Sequence, residues 1–132
     1  MPTPLSPHFT AEEFACPCKR SDCTAPKWPA QALVGKLETL RSRIMRPITI
    51  TSGSRCEYWN RMVGGEGDSA HITGEAADLA IDGSREAYQA MAAIMRDQLF
   101  QRVGYGRRDR DSSLTFHVDV ATRHPARVLW TY

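Results

Sequence analysis

Ser69-Ala-His-Ile-Thr-Gly-Glu-Ala-Ala-Asp-Leu-Ala-Ile81 joins a polar loop to an apolar segment. The run from Ala76 to Ile81 is apolar apart from Asp78, which predicts a buried strand. A carboxylate inside a buried strand is unfavourable unless it is paired or bound to a metal ion. Asp78 and His71 are therefore a candidate pair of metal ligands. The alternative is that a backbone amide or an arginine satisfies Asp78.

A second predicted strand, Thr115-Phe-His-Val-Asp119, carries another histidine. Alternate residues of a strand share a face, so Thr115, His117 and Asp119 point one way and the two apolar residues point the other way. Two histidines and one carboxylate, with a fourth position left to water, form a catalytic zinc site. Asp119 would then orient or deprotonate that water, and Thr115 and His124 are alternatives for this role.

The rest of the chain predicts further helices and strands. Leu33, Leu37, Leu40 and Ile44 recur at helical spacing and predict an amphipathic helix from Pro29 to about Ile44. A second long helix is expected to be capped by Ser84, with an inner face of Ala87, Met91, Ile94 and Met95. Short helices are expected after the capping box of Thr10 and Glu13, and from Glu57 to about Val63. Additional strands are expected at 48–50, 103–105 and 128–130, and the strand of His117 is expected to span 114–121, after a charged turn at 107–111.

These elements do not alternate regularly between strand and helix. The predicted fold class is therefore α+β, with a small, mostly antiparallel sheet flanked by helices. The 132 residues fit one domain, 1–132, with a single hydrophobic core.

Composition narrows the classes of partner. The formal net charge of +2 is too close to balance to indicate a nucleic-acid binder. No stretch approaches the roughly 20 apolar residues of a membrane span. The N-terminus lacks the basic start and apolar run of a secretory signal, so we expect cytoplasmic synthesis. We expect a monomer without nucleic-acid or membrane partners.

Four cysteines form a separate pattern, with Cys16, Cys18 and Cys23 close together and Cys56 far along the chain. Disulfides are not the default in a chain without a secretory signal. The cluster could hold a structural zinc, although its first spacing is tighter than in most zinc sites. A bound metal, a disulfide bridge and free, partly buried thiols all stay open.

Several ordered motifs resemble one known family. The pattern Ser-x-His-x-x-Gly-x-Ala-x-Asp is matched at 69–78. The segments Thr51-Ser-Gly-Ser-Arg55, Asn60-Arg-Met-Val-Gly-Gly65, Phe116-His-Val-Asp119 and His8-Phe-Thr-Ala-Glu-Glu-Phe14 match others. Together they resemble the zinc D-Ala-D-Ala carboxypeptidase and murein endopeptidase family, which is peptidase M15-like and has the hedgehog/DD-peptidase fold.

The resemblance implies a site. Its zinc ligands would be His71, Asp78 and His117. Arg55 would face the site and bind a substrate carboxylate or stabilise a developing oxyanion. Ser69 would hold the metal loop or contact substrate, with local backbone capping as the alternative.

One departure concerns the catalytic base. Many relatives carry Glu or Asp three residues before the last zinc histidine, or His two residues before it. Here these positions are Leu114 and Thr115, so Asp119 is the candidate base.

The resemblance also implies a substrate. We expect a zinc peptidase that hydrolyses bacterial peptidoglycan peptides, acting in phage or prophage lysis or as part of a virion. The alternative is a zinc-bound module of the same fold that binds the cell wall or assists assembly without catalysis.

Overall fold

The computed structural model describes residues 2–106 and 114–131. Within this part of the chain, the helices are α1 (Gln31–Ile44), α2 (Glu57–Met62) and α3 (Ser84–Asp97), preceded by a 3-10 helix at Ala11–Phe14. The strands are β1 (Thr49–Ser52), β2 (Ala76–Ile81), β3 (Arg102–Gly106), β4 (Leu114–Asp119) and β5 (Val128–Thr131). The charged turn predicted at 107–111 lies outside the described residues.

The strands form one sheet in the order β1-β2-β4-β3-β5. The pairs β1–β2, β2–β4 and β3–β4 are antiparallel, whereas β5 runs parallel to β3. The predicted α+β class with a mostly antiparallel sheet is confirmed, and the parallel edge strand makes the sheet mixed. Strand β4 ends at Asp119, two residues earlier than predicted.

One face of the sheet packs against α1 and α3. The core on this face includes Leu79, Val103, Phe116 and Val118, all of them buried. The predicted alternation along β4 is therefore confirmed, because Phe116 and Val118 enter the core while His117 and Asp119 belong to the opposite face. This second face carries the polar site described below.

Two expectations for α3 are wrong. The N-cap is Gly83, whose carbonyl accepts the first helical hydrogen bond from Ala87, so Ser84 is already helical and caps nothing. Met95 is 42% exposed, and the small residues Ala90 and Ala93 are buried instead. Because Ala90 and Ala93 are buried, the centre of the buried face of α3 lies about a third of a turn away from Met95.

The other helices agree more closely with the sequence. Leu33, Leu37 and Leu40 of α1 are buried as expected. The capping box at Thr10 is present, since its backbone N–H donates to the Glu13 carboxylate at 2.7 Å, but the helix that follows is a 3-10 helix. In the described ranges no helix combines the length and apolar character required to cross a bilayer.

Candidate metal centre

His71, Asp78 and His117 meet on the polar face of the sheet. Each offers one ligand atom, and these atoms all lie within 4.8 Å of one another. Asp78 Oδ1 is 3.2 Å from His71 Nε2 and 3.2 Å from His117 Nδ1. Asp78 and His71 are buried and His117 is partly buried. The structure thus brings together the three residues that the sequence predicts as ligands.

Strand pairing positions two of these side chains. Asp78 of β2 lies directly opposite His117 of β4 in the antiparallel register. Opposite residues project from the same face of a sheet, with Cβ atoms roughly 5 Å apart. An aspartate and a histidine at this spacing can share one ion.

His71 comes from the loop before β2. Its carbonyl accepts a hydrogen bond from the Arg55 backbone N–H at 2.9 Å, and its own N–H donates to the Ser69 hydroxyl at 3.2 Å. At Gly74 the backbone has a φ of +74°, a conformation that glycine adopts without strain. The Ser69 hydroxyl therefore caps the local backbone two residues on, which is the alternative that the sequence left open for this residue.

Each imidazole has a second partner that sets its orientation. His71 Nδ1 donates to the Gly53 carbonyl at 2.7 Å, and His117 Nε2 donates to the Asp119 carboxylate at 2.8 Å. Such outer hydrogen bonds are typical of metal-binding histidines because they select the tautomer. In the neutral rings, the remaining nitrogens therefore direct lone pairs toward Asp78. Three acceptors converge, so the donor set fits a cation.

The pKa values of these three side chains are set by two opposing effects, burial and the charges of their neighbours. Burial alone would raise the pKa of Asp78, but contacts with His117 and His71 hold it well below its ordinary value. Burial would lower the pKa of His117, yet the carboxylates of Asp119 and Asp78 raise it above the ordinary value. Burial lowers the pKa of His71, partly opposed by Asp78. Without a metal, Asp78 and Asp119 therefore favour the protonated, positively charged form of His117.

Arg55 contacts the other oxygen of Asp78. Its Nη2 lies 3.2 Å from Asp78 Oδ2, its Nε donates to Ser52 at 3.1 Å, and its Nη1 donates to Asn60 at 3.2 Å. The arginine pairing that the sequence left as an alternative for Asp78 therefore coexists with the ligand geometry. One carboxylate oxygen faces the histidines and the other faces the guanidinium.

A cavity of about 560 Å³ opens over these residues. Arg55, Ser69, His71, His117 and Asp119 all contribute to its wall, so the predicted site residues other than Asp78 border one space. Asp78 is fully buried beneath it, at 0% exposure. The arrangement can bind a ligand from solvent directly above a candidate metal position.

Sequence reasoning missed part of the cavity wall. Trp130 lies against the His117 ring, with 5.2 Å between centroids, and the Arg102 guanidinium lies 5.2 Å from the centre of the indole. Arg102 is also 3.9 Å from Asp119. The parallel pairing of β5 with β3 brings Trp130 opposite Gly104, and this long-range contact leaves no local sequence pattern.

The two alternatives for the base lie in different places. His124 borders the cavity, with its Nε2 3.0 Å from the carbonyl of Asp68. Thr115 lies two residues before His117 on β4, opposite Ala80 on one side and Gly106 on the other.

Comparison with protein-family models gives a match to the family described as Peptidase M15 over residues 7–119. Comparison with curated protein sequences gives no match. The matched span contains the three candidate ligands together with Arg55 and Asp119, and M15 peptidases are generally metalloenzymes. Since the match covers most of the chain and agrees with the geometry of the site, the chain belongs to the Peptidase M15 family.

Proposed function

We propose that this chain is a zinc-dependent peptidase that hydrolyses peptide bonds in bacterial peptidoglycan, as a D-Ala-D-Ala carboxypeptidase or an endopeptidase. The observation that carries the proposal is the convergence of His71 Nε2, Asp78 Oδ1 and His117 Nδ1 within 4.8 Å beneath an open cavity. Two imidazoles and a carboxylate are a donor set of catalytic zinc sites. Zinc bound there would supply Lewis-acid activation of water and of the scissile carbonyl.

Asp119 is the proposed catalytic base; because its carboxylate binds His117 Nε2, across the ring from the Nδ1 that faces Asp78, it would take the proton through a second water. It is a buried carboxylate on the cavity wall, next to His117. Its Oδ2 accepts from His117 Nε2, and its Oδ1 accepts the Ala121 N–H at 3.3 Å. Asp119 therefore also positions His117, and the two roles call for separate tests.

Two guanidinium groups in the cavity wall can bind a peptide carboxylate. Arg55 and Arg102 border the cavity together with the acidic residues Glu66, Asp68 and Asp119, and a guanidinium binds carboxylates through a planar fork of donors. We propose that Arg55 stabilises the developing oxyanion or a substrate carboxylate, as the family resemblance implies. Trp130 adds an aromatic surface beside the candidate metal position. Peptidoglycan stem peptides carry carboxylates of the kind that these two guanidinium groups would bind.

The cellular role follows by analogy. We propose that a monomer, made in the cytoplasm, acts on the cell wall after phage-type release or as part of a virion.

Digestion of purified sacculi tests the activity. Zinc-loaded protein should release new amino termini if it is an endopeptidase, or free D-alanine if it is a carboxypeptidase. The His71→Ala variant should release neither. Equal behaviour of the two proteins would contradict the proposal, provided both retain their fold by circular dichroism.

The second candidate function is a zinc-bound wall-binding or assembly module without catalysis. It is favoured by Leu114 and Thr115, which occupy the positions where many relatives place a base. Such a module would bind soluble peptidoglycan fragments in calorimetry while the fragments stay intact by mass spectrometry. Turnover of the same fragments would exclude it.

A further inference from the structure

The four cysteines converge at a second place, outside the cavity described above. Cys16, Cys18 and Cys23 lie in the loop after the 3-10 helix, and Cys56 is the N-cap of α2. Their sulfur atoms all lie within 4.8 Å of one another, although Cys56 is distant from the other three in the chain. We propose that these residues bind a structural zinc ion through four thiolate ligands.

The sulfur spacing distinguishes a metal site from a disulfide. Cys16 Sγ and Cys56 Sγ are 3.8 Å apart. A disulfide requires about 2.05 Å between sulfurs. A tetrahedral zinc site with Zn–S bonds of about 2.3 Å places its sulfurs about 3.8 Å apart. The Cys16–Cys56 separation therefore fits two sulfurs on a common ion and is too long for a disulfide.

Backbone N–H groups point at the sulfurs as they do around metal-bound thiolates. Cys56 N–H donates to Cys16 Sγ at 3.5 Å, Arg20 N–H donates to Cys18 Sγ at 3.4 Å, and Trp59 N–H donates to Cys56 Sγ at 3.4 Å. Lys19, between Cys18 and Arg20, adopts a left-handed φ of +58°, which is uncommon for a residue with a side chain. This turn brings the Arg20 N–H to the Cys18 sulfur, where the donor stabilises negative charge.

The cysteine site lies against the segment that supports the metal centre. Cys56 directly follows Arg55, and the Gly53 carbonyl accepts the His71 imidazole N–H. On the other side, the Phe14 carbonyl accepts the Ser54 N–H at 2.8 Å, and a Cβ on Gly53 would lie 2.5 Å from the Phe14 backbone. Zinc on the four cysteines would join residues 16–23 to residue 56. It would thereby hold residues 53–55 in place beneath the cavity.

Metal analysis of the full chain, purified with zinc under reducing conditions, tests the site. Wild type should contain two zinc ions per chain, and both Cys18→Ser and His117→Ala should contain one. Cobalt substitution supplies a readout that needs no variant, because thiolate ligation gives an intense sulfur-to-cobalt charge-transfer band. The band should persist in His117→Ala and be lost in Cys18→Ser.

The result does not depend on peptidase activity, because His117→Ala should remove only the metal at the cavity and leave the one at the four cysteines. A wild type with a single zinc that Cys18→Ser retains, or with no thiolate-to-cobalt band, would overturn the four-cysteine site. So would an intact mass lower by two hydrogens, which would indicate a disulfide between two of the four cysteines. If Cys18→Ser fails to fold, the cobalt spectrum and the mass of the wild type still decide whether the four cysteines bind a metal. Cys23→Ser, at an exposed position, is the second variant.

Discussion

Asp78 Oδ1 and His117 Nδ1 face each other at 3.2 Å across the antiparallel pair of β2 and β4. A buried aspartate in the middle of a sheet is thereby matched with an imidazole from the neighbouring strand. Asp119 fixes the far side of the imidazole ring, and Arg55 fixes the far oxygen of the aspartate. The candidate metal centre is therefore built on the sheet and on the hydrogen bonds of its side chains, and only His71 comes from a loop.

Removal of a ligand should abolish metal binding at the cavity. We expect His117→Ala to lower zinc affinity by more than about 100-fold, since even loss of an outer-shell partner costs 10- to 100-fold. Peptidase activity should fall to background. Competition with a fluorescent zinc chelator measures the affinity. Thr115→Ala, two residues away on β4, is the matched control and should bind zinc as wild type does.

Asp119→Asn separates orientation of His117 from proton transfer. Loss of orientation alone would lower zinc affinity about 10- to 100-fold, and saturating zinc would restore the rate. Loss of a catalytic base would instead keep the rate low even at saturating zinc. We expect the second outcome in addition to the first. Full recovery of the wild-type rate and pH profile at saturating zinc would remove Asp119 from the catalytic role.

The metal-free protein should show a pH-dependent contribution from His117. Because its folded-state pKa is raised above 6.5, the ionised imidazole stabilises the fold below pH 6.5, and this stabilisation is lost as the pH rises through the raised pKa. The free energy of unfolding of wild type minus that of His117→Gln, from urea denaturation in chelator, should therefore decrease with pH. His71, whose pKa shifts the other way, is present in both proteins. A difference that grows with pH would contradict the assignment.

Arg55 should contribute to stability as well as to the site. The guanidinium is buried and pairs with a fully buried carboxylate, so Arg55→Ala removes the cationic partner of Asp78 Oδ2. Breaking such a pair costs about 3–5 kcal/mol, measured by chemical denaturation. Arg96→Ala removes an exposed pair with Asp97 and should cost at most about 1 kcal/mol. Similar losses for the two variants would mean that the Arg55 pair is solvated.

Gly104 should control the position of Trp130 in the cavity. A Cβ at this residue would lie 2.5 Å from the indole Cε2, so Gly104→Ala must displace the ring. We expect a higher KM because the displaced indole borders the cavity, and zinc content is measured in parallel because Gly104 lies opposite His117 and the indole lies against its ring. Tryptophan fluorescence and steady-state kinetics measure the two effects. Unchanged KM would show that substrate does not contact the indole.

Local sequence patterns were sufficient to predict several parts of the fold. The leucine spacing of α1 predicted its buried face, and the alternation from Phe116 to Asp119 predicted which β4 side chains enter the core. On α3 the same method misplaced Met95, because two buried alanines carry little weight in a hydrophobic pattern but allow close helix packing. The parallel direction of β5 could not be predicted from local patterns either, since strand order depends on contacts between distant segments.

The sequence by itself determined that Asp78 would be buried on a strand and that His117 and Asp119 would share a face, since side-chain periodicity is a local property of the backbone. Only the tertiary structure decided that the Gly53 carbonyl orients His71, that Arg55 binds the second oxygen of Asp78, and that Trp130 borders the cavity. These partners meet through strand register and loop packing, where residues far apart in the chain become neighbours.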